Sequence, residues 1–228
     1  MNILIVTPLQ KELEFFLEAC LRRGWHAEHT ALGRLPIVRL PDLGMTLARG
    51  GAGKAQFAVH TQHLLDQRAD WELVICAGAA GALAEGVAVG DVVVATTVEH
   101  DYRNRFTVRP PPRFEGAAVA LAELRRAAPV GAAFKVHIGA VASGDEDVIE
   151  DERRRAIFAA TGALAVAWEG AGGARACAFS GVPYLELRGV TDGADQGAPA
   201  DFETNLELAM GNLAELIVAW IEQPALSS

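Results

Sequence analysis

Short apolar runs rich in β-branched residues alternate along the chain with stretches whose apolar positions recur every three or four residues. Residues Asn2 to Thr7 form one such run, ending at Pro8, and Leu9 to Arg23 follow with helical spacing, predicting a strand and then at once a helix. Between Trp25 and Arg49 the runs Pro36 to Leu40 and Gly44 to Ala48 are broken by Gly and Pro, which predicts strands joined by tight turns. Helix resumes over Lys54 to Gln67. A buried-type strand is expected over Glu72 to Ala77, running into the loop Gly78-Ala79-Ala80-Gly81, and another over Val87 to Val98, passing through Gly90-Asp91. Helices over Ala117 to Ala128, Glu146 to Thr161 and Glu169 to Ser180 then alternate with strands over Lys135 to Ala142, Leu164 to Trp168 and Tyr184 to Val190. An amphipathic helix over Phe202 to Glu222 closes the pattern. This alternation predicts an α/β fold, a largely parallel or mixed sheet covered by helices on both faces. There is no internal repeat and no low-complexity tract.

Composition narrows the class. With 228 residues, 51% hydrophobic and 21% charged, the chain has ample material for one packed core, and nothing in it resembles a linker, so residues 1–228 are read as a single domain. The formal charge of −9 and the lack of a Lys/Arg cluster argue against nucleic acid as a partner. The basic run Arg153-Arg154-Arg155 follows an acidic stretch and reads as a solvated helix face. Cys20, Cys76 and Cys177 lie far apart without metal-ligand spacing, as expected of buried free thiols in a reducing cytoplasm. The first residues lack a basic leader, and no segment offers ~18 uninterrupted apolar residues, so a cytoplasmic protein with no membrane partner is expected.

In sheets of this kind ligands bind beyond the carboxyl ends of the strands. Those ends carry Glu12, the Gly78 to Gly81 stretch, Ser143-Gly144-Asp145, Trp168-Glu169 and Arg188 to Asp192, so carboxylates recur where chemistry would sit. Other motifs weaken on inspection. Gly50-Gly51-Ala52-Gly53-Lys54 is not a triphosphate loop, because Ala48 stands at its first glycine and Ala55 follows the lysine. A tight turn explains these glycines, although a small loop also lets a ligand approach the backbone. His60 and His63 lack a third ligand at matching spacing and read as solvated. Glu169 alone is explained by the favourable field at a helix N-terminus, and Asp192 alone by a turn or cap. The Gly78 to Gly81 stretch can contribute only backbone N–H groups and steric room.

Taken together, Glu12, Gly53-Lys54, Gly78-Ala79-Ala80-Gly81-Ala82-Leu83, Gly90-Asp91, His100-Asp101, Ser143-Gly144-Asp145, Val166-Ala167-Trp168-Glu169-Gly170 and Arg188-Gly189-Val190-Thr191-Asp192 with Asp195 resemble, in order and spacing, the methylthioadenosine/S-adenosylhomocysteine nucleosidases of the purine and uridine phosphorylase superfamily. The resemblance runs from end to end. It implies a three-layer arrangement with a twisted mixed sheet between helices, a homodimer, a small-molecule nucleoside as substrate, and no metal or organic cofactor. It also implies that Glu12 activates the attacking water and that Asp192 protonates the departing base, a pairing that lowers one barrier from both sides. By the same resemblance Glu169 binds the ribose hydroxyls, Arg188 supports that region, Ala79 and Gly81 belong to the loop against the substrate, and Phe202, with Leu9 nearby, walls the subsite for the 5′ substituent.

Three departures shape the expectation. Ala79 replaces the family's Ser or Thr, and Cys76 stands where phosphorylases carry an arginine, so a phosphate site lacks its donors and hydrolysis is favoured over phosphorolysis. In that family a phenylalanine that stacks on the purine aligns with Asp147, so either Val148, Ile149 or another aromatic supplies the apolar face, or the base differs from adenine and uses the carboxylate as an acceptor for exocyclic amines. Trp168 replaces a methionine beneath the sugar and Ala167 an acidic residue, which suits a specialised nucleosidase such as one acting on futalosine. Two alternatives stay open beside the nucleosidase: a phosphate-dependent phosphorylase, and a nucleoside-binding protein that has lost catalysis.

Overall fold

A computed structural model describes residues 2–103, 106, 109–127, 129 and 131–223. Among these described residues ten strands form one sheet, and six α-helices pack against it. In chain order they are β1 (Ile3–Thr7), α1 (Gln10–Arg22), β2 (Glu28–Leu32), β3 (Leu35–Leu40), β4 (Met45–Arg49), α2 (Lys54–Gln67), β5 (Leu73–Ala82), β6 (Val92–Glu99), β7 (Arg113–Phe114), α3 (Ala118–Ala127), β8 (Val136–Ser143), α4 (Asp151–Thr161), β9 (Ala165–Ala167), α5 (Gly170–Ser180), β10 (Tyr184–Asp192) and α6 (Ala198–Ile221). The alternating pattern therefore translates into a mixed α/β fold with helices on both faces of the sheet.

The sheet has two regimes. One wing runs outward from β5 through β1, β4, β3 and β2. β1 is buried along its whole length because it pairs in parallel with both β4 and β5. On the other side β5 pairs with β10, β10 with β6, β6 with β8, β8 with β9, and β9 returns to β5, so these strands close into a ring. A closed ring leaves no room for large inward side chains. Accordingly Ala80, Ala82, Val93, Ala95, Val141, Ala165, Ala167 and Val190 make one buried cluster, with a contribution from every strand of the ring. The main core lies between one face of the sheet and α1, α3 and α6, and a second lies between the other face and α2 and α5.

The structure corrects several boundaries. Gly78 to Gly81 is no loop: it continues β5, held between β10 and β9, so the glycines serve close packing inside a strand. The strand expected from Val87 begins only at Val92, because Asp91 folds the preceding residues into a turn by accepting the Ala88 N–H (3.0 Å), while its other oxygen takes the distant Lys135 N–H (2.9 Å). α4 starts at Asp151 rather than Glu146, which frees Glu146 to Glu150 from the helix. α6 begins at Ala198, four residues ahead of Phe202, with Pro199 in its first turn, where a missing N–H costs nothing. β2 was not resolved from pattern alone, being a polar, mostly exposed strand at the end of the wing. The helix expected to Ala128 is observed to Ala127, and Ala128 lies outside the described residues. Among the described residues no helix is long and apolar enough to cross a membrane.

Candidate active site

A cavity of about 520 Å³ opens where the wing meets the ring. All ten residues proposed from the sequence, Glu12, Ala79, Gly81, Asp147, Val148, Trp168, Glu169, Arg188, Asp192 and Phe202, line it. Pro8, Leu9, Ala52, Glu146, Ile149, Thr191, Ala194 and Pro199 complete much of the wall and were not proposed from sequence, apart from Leu9 and Ile149 as neighbours.

Glu12 sits in the first turn of α1, immediately beyond β1, and is only 2% exposed. Its two oxygens accept the N–H groups of Leu9 (2.7 Å) and Ala79 (2.8 Å). The first bond closes the start of the helix, and the second ties α1 to β5. Burial pushes this carboxyl up to about 7; the charge of Glu169 adds to the rise, while the two N–H groups and Arg188 oppose it. A group with that proton affinity exchanges a proton readily near neutral pH.

Arg188 and Glu169 complete the floor. Arg188 is fully buried on β10; its Nη2 lies 3.3 Å from Glu169 and its Nη1 donates to the Ala79 carbonyl at 3.3 Å. Glu169 stands at the N-cap of α5, yet its side chain does not cap that helix. It reaches away and accepts the Gly53 N–H at 3.2 Å, so a helix-end field alone does not account for it. The Gly50 to Lys54 turn consequently does more than reverse the chain: Ala52 faces the cavity and Gly53 anchors Glu169. Gly78 explains how the groups fit, because a Cβ there would lie 2.7 Å from Arg188 Nη1 and 2.9 Å from Glu12 Oε1.

Asp192 ends β10 and also lines the cavity. Its Oδ1 accepts the Ala194 N–H (2.9 Å) and its Oδ2 the Thr191 hydroxyl (2.8 Å), so it also makes the turn expected of a lone aspartate there. Burial raises its proton affinity, against the opposing pull of those two donors. Gly81 lies opposite it, and a Cβ there would stand 2.6 Å from Oδ1. Strand β5 thus presents Gly78 to the Glu12–Arg188 pair and Gly81 to Asp192, three residues or about 10 Å apart along the strand.

The remaining wall is a rim of Glu146, Asp147, Val148 and Ile149. Asp147 and Ile149 are exposed and Val148 is buried. A charged clamp holds the base of this rim: Lys54 pairs with Asp101 and with Glu99 (3.2 Å), and Asp145 accepts the Lys54 N–H (2.8 Å) while its own N–H donates to Asp101 (3.0 Å). Leu9, Pro199 and Phe202 add apolar surface to the lining.

Glu186, buried beside Arg188, escaped the sequence reading. The signal was present as Glu186 and Arg188, two apart in the apolar run Tyr184 to Val190, which places both on one face of a buried strand. His60 and His63 are half-buried rather than solvated, and the Nε2 of His63 accepts the Arg34 N–H at 2.9 Å. Among the described residues no cluster of three or more His, Cys, Asp and Glu could hold a metal ion.

Comparison with known proteins places the chain in a family and supports its fold. Residues 2–222 match the phosphorylase superfamily. The 5′-methylthioadenosine/S-adenosylhomocysteine nucleosidase of an Exiguobacterium species is 30% identical over 189 residues, covering 79% of this chain and 81% of that protein. The same enzyme of Pseudoalteromonas translucida is 30% identical over 239 residues, 98% of this chain and 97% of its own. The crystal structure of the Neisseria meningitidis nucleosidase of that name, in complex with methylthio-immucillin-A, superposes with a TM-score of 0.83 at 28% identity, covering 97% and 98% of the two chains. The futalosine hydrolase of Helicobacter pylori shares the fold, with a TM-score of 0.85 at 24% identity over 97% of each chain.

Proposed function

The chain belongs to the phosphorylase superfamily, among its methylthioadenosine/S-adenosylhomocysteine nucleosidase-like members, and from that premise we propose that it hydrolyses the N-glycosidic bond of a 5′-modified purine nucleoside through Glu12 and Asp192. Glu12 takes a proton from a water whose oxygen bonds to C1′ of the ribose. The bond from C1′ to the base breaks, its electron pair leaving with the base, and Asp192 delivers a proton to N7 of the departing purine. Free base and a ribose derivative result. Glu169 accepts from the ribose hydroxyls and, being anionic, steadies positive charge on the sugar as the bond loosens. Arg188 fixes Glu169, Trp168 forms the floor beneath the sugar, and Ala79 and Gly81 give the small surface against which it lies.

The observation carrying this reading is that two buried carboxyls of raised proton affinity line one cavity, each set against a different glycine of β5, Glu12 at Gly78 and Asp192 at Gly81. Hydrolysis is favoured over phosphorolysis on the same ground. Among the described residues lining the cavity the charged groups other than Arg188 are carboxylates, and Arg188 is engaged by Glu186 and Glu169. A phosphate there would meet more repulsion than donors.

At the base end Val148 offers an apolar face and Asp147 an acceptor for an exocyclic amine; at the other end Leu9 and Phe202 receive an apolar 5′ substituent. The steps above require side chains and water only. We further read residues 1–228 as one domain, working as a homodimer in the cytoplasm; three buried, free cysteines suit a reducing compartment, and a single sedimenting species of monomer mass at micromolar concentration would overturn the dimer.

The direct test is chromatography of methylthioadenosine, adenosylhomocysteine, futalosine, adenosine, inosine and uridine after incubation with the protein, with and without phosphate. Release of base in phosphate-free buffer is expected. Cleavage only with phosphate, giving a sugar 1-phosphate, would replace the hydrolytic reading with a phosphorolytic one. Tight binding of a member without cleavage would mark a protein that only binds.

A further inference from the structure

We infer that Glu186 is a positioning residue for this hydrolysis: it does not line the cavity, and it holds the Arg188 guanidinium in place behind Glu12 and Glu169. The inference rests on the proposed role of Glu12 as the water-activating base.

Glu186 has no exposed surface at all, and a carboxylate so placed is costly unless it is paired and fully bonded. Both oxygens are engaged as acceptors: Oε1 takes the Arg188 Nε–H at 3.0 Å, and Oε2 takes the Thr97 hydroxyl. Burial raises its proton affinity, while the Arg188 charge and the two donors oppose the rise and favour the anion. Its accommodation is also built into the backbone, since a Cβ at Gly170 would overlap the carboxylate, and Gly170 directly follows Glu169 at the start of α5.

The consequence falls on Arg188. With Nε committed to Glu186, the guanidinium plane is fixed, and its remaining nitrogens meet Ala79 O, Cys76 Sγ and Glu169 Oε2, each at 3.3 Å. Arg188 Nη1 and Glu12 Oε1 share the space above Gly78. One cation therefore serves three carboxylates, Glu12 from α1, Glu169 from the start of α5 and Glu186 from its own strand. The other groups facing the pair are Cys76 on β5, Tyr184 on β10 and Thr97 on β6. Because Glu186 neutralises much of the guanidinium charge, less of it reaches Glu12, and Glu12 remains a stronger base than it would be beside an unopposed arginine. Orientation and base strength come from the same contact.

The test is the pH dependence of kcat/KM for Glu186→Gln in the full chain, using a nucleoside that the unaltered protein cleaves. Loss of the Glu186 charge should move the acid limb to lower pH by about 0.5–1 unit, and reduce kcat several-fold at its plateau. Glu186→Asp, which keeps the charge, should leave the limb near its original position. A purely structural role would lower Tm and leave the limb unmoved, and that result overturns the inference. If Glu186→Gln does not fold, Thr97→Val removes one of the two donors, favours protonation of Glu186, and should shift the limb in the same direction; an unmoved limb there is equally fatal. An unaltered protein with no acid limb near neutral pH, or a fully active Glu12→Gln variant, would instead overturn the role of Glu12 itself and this inference with it.

Discussion

The floor of the cavity and its rim are built on opposite principles. On the floor, Glu12, Glu169, Arg188 and Asp192 are almost wholly buried and bonded to named backbone or side-chain partners, with Glu186 behind Arg188. On the rim, Glu146 to Ile149 lie outside any helix or strand, and Asp147 and Ile149 are open to solvent. Chemistry requires groups held within fractions of an ångström, whereas selection among nucleosides tolerates a surface that adjusts. Substitutions on the floor should therefore strike turnover, and substitutions on the rim should strike the choice of substrate.

The largest effects test the floor directly. Asp192→Asn and Glu12→Gln should each lower kcat by ~10²–10⁴-fold while leaving the circular dichroism spectrum unchanged. Undiminished turnover in either variant sinks the assignment of that residue. The pH profile sharpens the same contrast. Glu12 is raised from an ordinary 4.5 to about 7, so kcat/KM should fall up to tenfold per unit as pH drops below about 7. Stability should respond with the opposite sign. A carboxyl whose folded pKa lies above its unfolded value binds its proton more tightly when folded, so its contribution to stability declines as pH rises from about 4.5 to about 7. Thermal melts of the unaltered protein and Glu12→Gln across that window should diverge accordingly.

Smaller losses are expected from the supports. Glu169→Gln removes one charged acceptor for ribose and should cost roughly 10–100-fold in kcat/KM, as is usual for a hydrogen bond to an ionised group. Gly81→Ala places a methyl 2.6 Å from Asp192 Oδ1 and 3.0 Å from the Ala194 Cβ. Overpacking of this kind costs about 1–3 kcal/mol, and here the strain falls on the proton donor, so Tm and kcat should drop together. Preserved kcat with a lowered Tm would show that Asp192 can move without penalty.

Much of the floor was legible in the sequence because parallel strands deliver their carboxyl ends to one edge, and Glu12, Glu169 and Asp192 each follow or end such a strand, with Arg188 further back in β10. What stayed hidden depends on contacts distant along the chain. Closure of the ring rests on two pairings between β5 and β9, Gly81 with Val166 and Ala82 with Ala165, which no local pattern announces. Gly78 to Gly81 read as a loop because small residues lack strand propensity, and only the neighbours β10 and β9 impose that conformation. Glu186 was passed over because a single charge in an apolar run looks like an exposed alternation, although its spacing from Arg188 put both on one buried face.

The smallest predicted effect lies on the rim and is the most informative about specificity. Asp147 is exposed and lines the cavity beside the buried Val148, which shares an apolar cluster with Ala194, whose N–H donates to Asp192. If its carboxylate accepts from an exocyclic amine, Asp147→Asn weakens that bond without destroying the acceptor, and KM for an amine-bearing purine should rise ~3–10-fold while kcat stays within about twofold. A nucleoside whose base carries a carbonyl at the same position should lose nothing and gain modestly, since the repulsion between carbonyl and carboxylate is relieved. Asp147→Phe separates charge from shape: a flat ring over the base is worth about 0.5–1.5 kcal/mol and should lower KM for both bases alike. A fall in kcat comparable to that of the floor variants would mean that the rim shares in positioning the reacting atoms, and the division between the two regions would fail at Asp147.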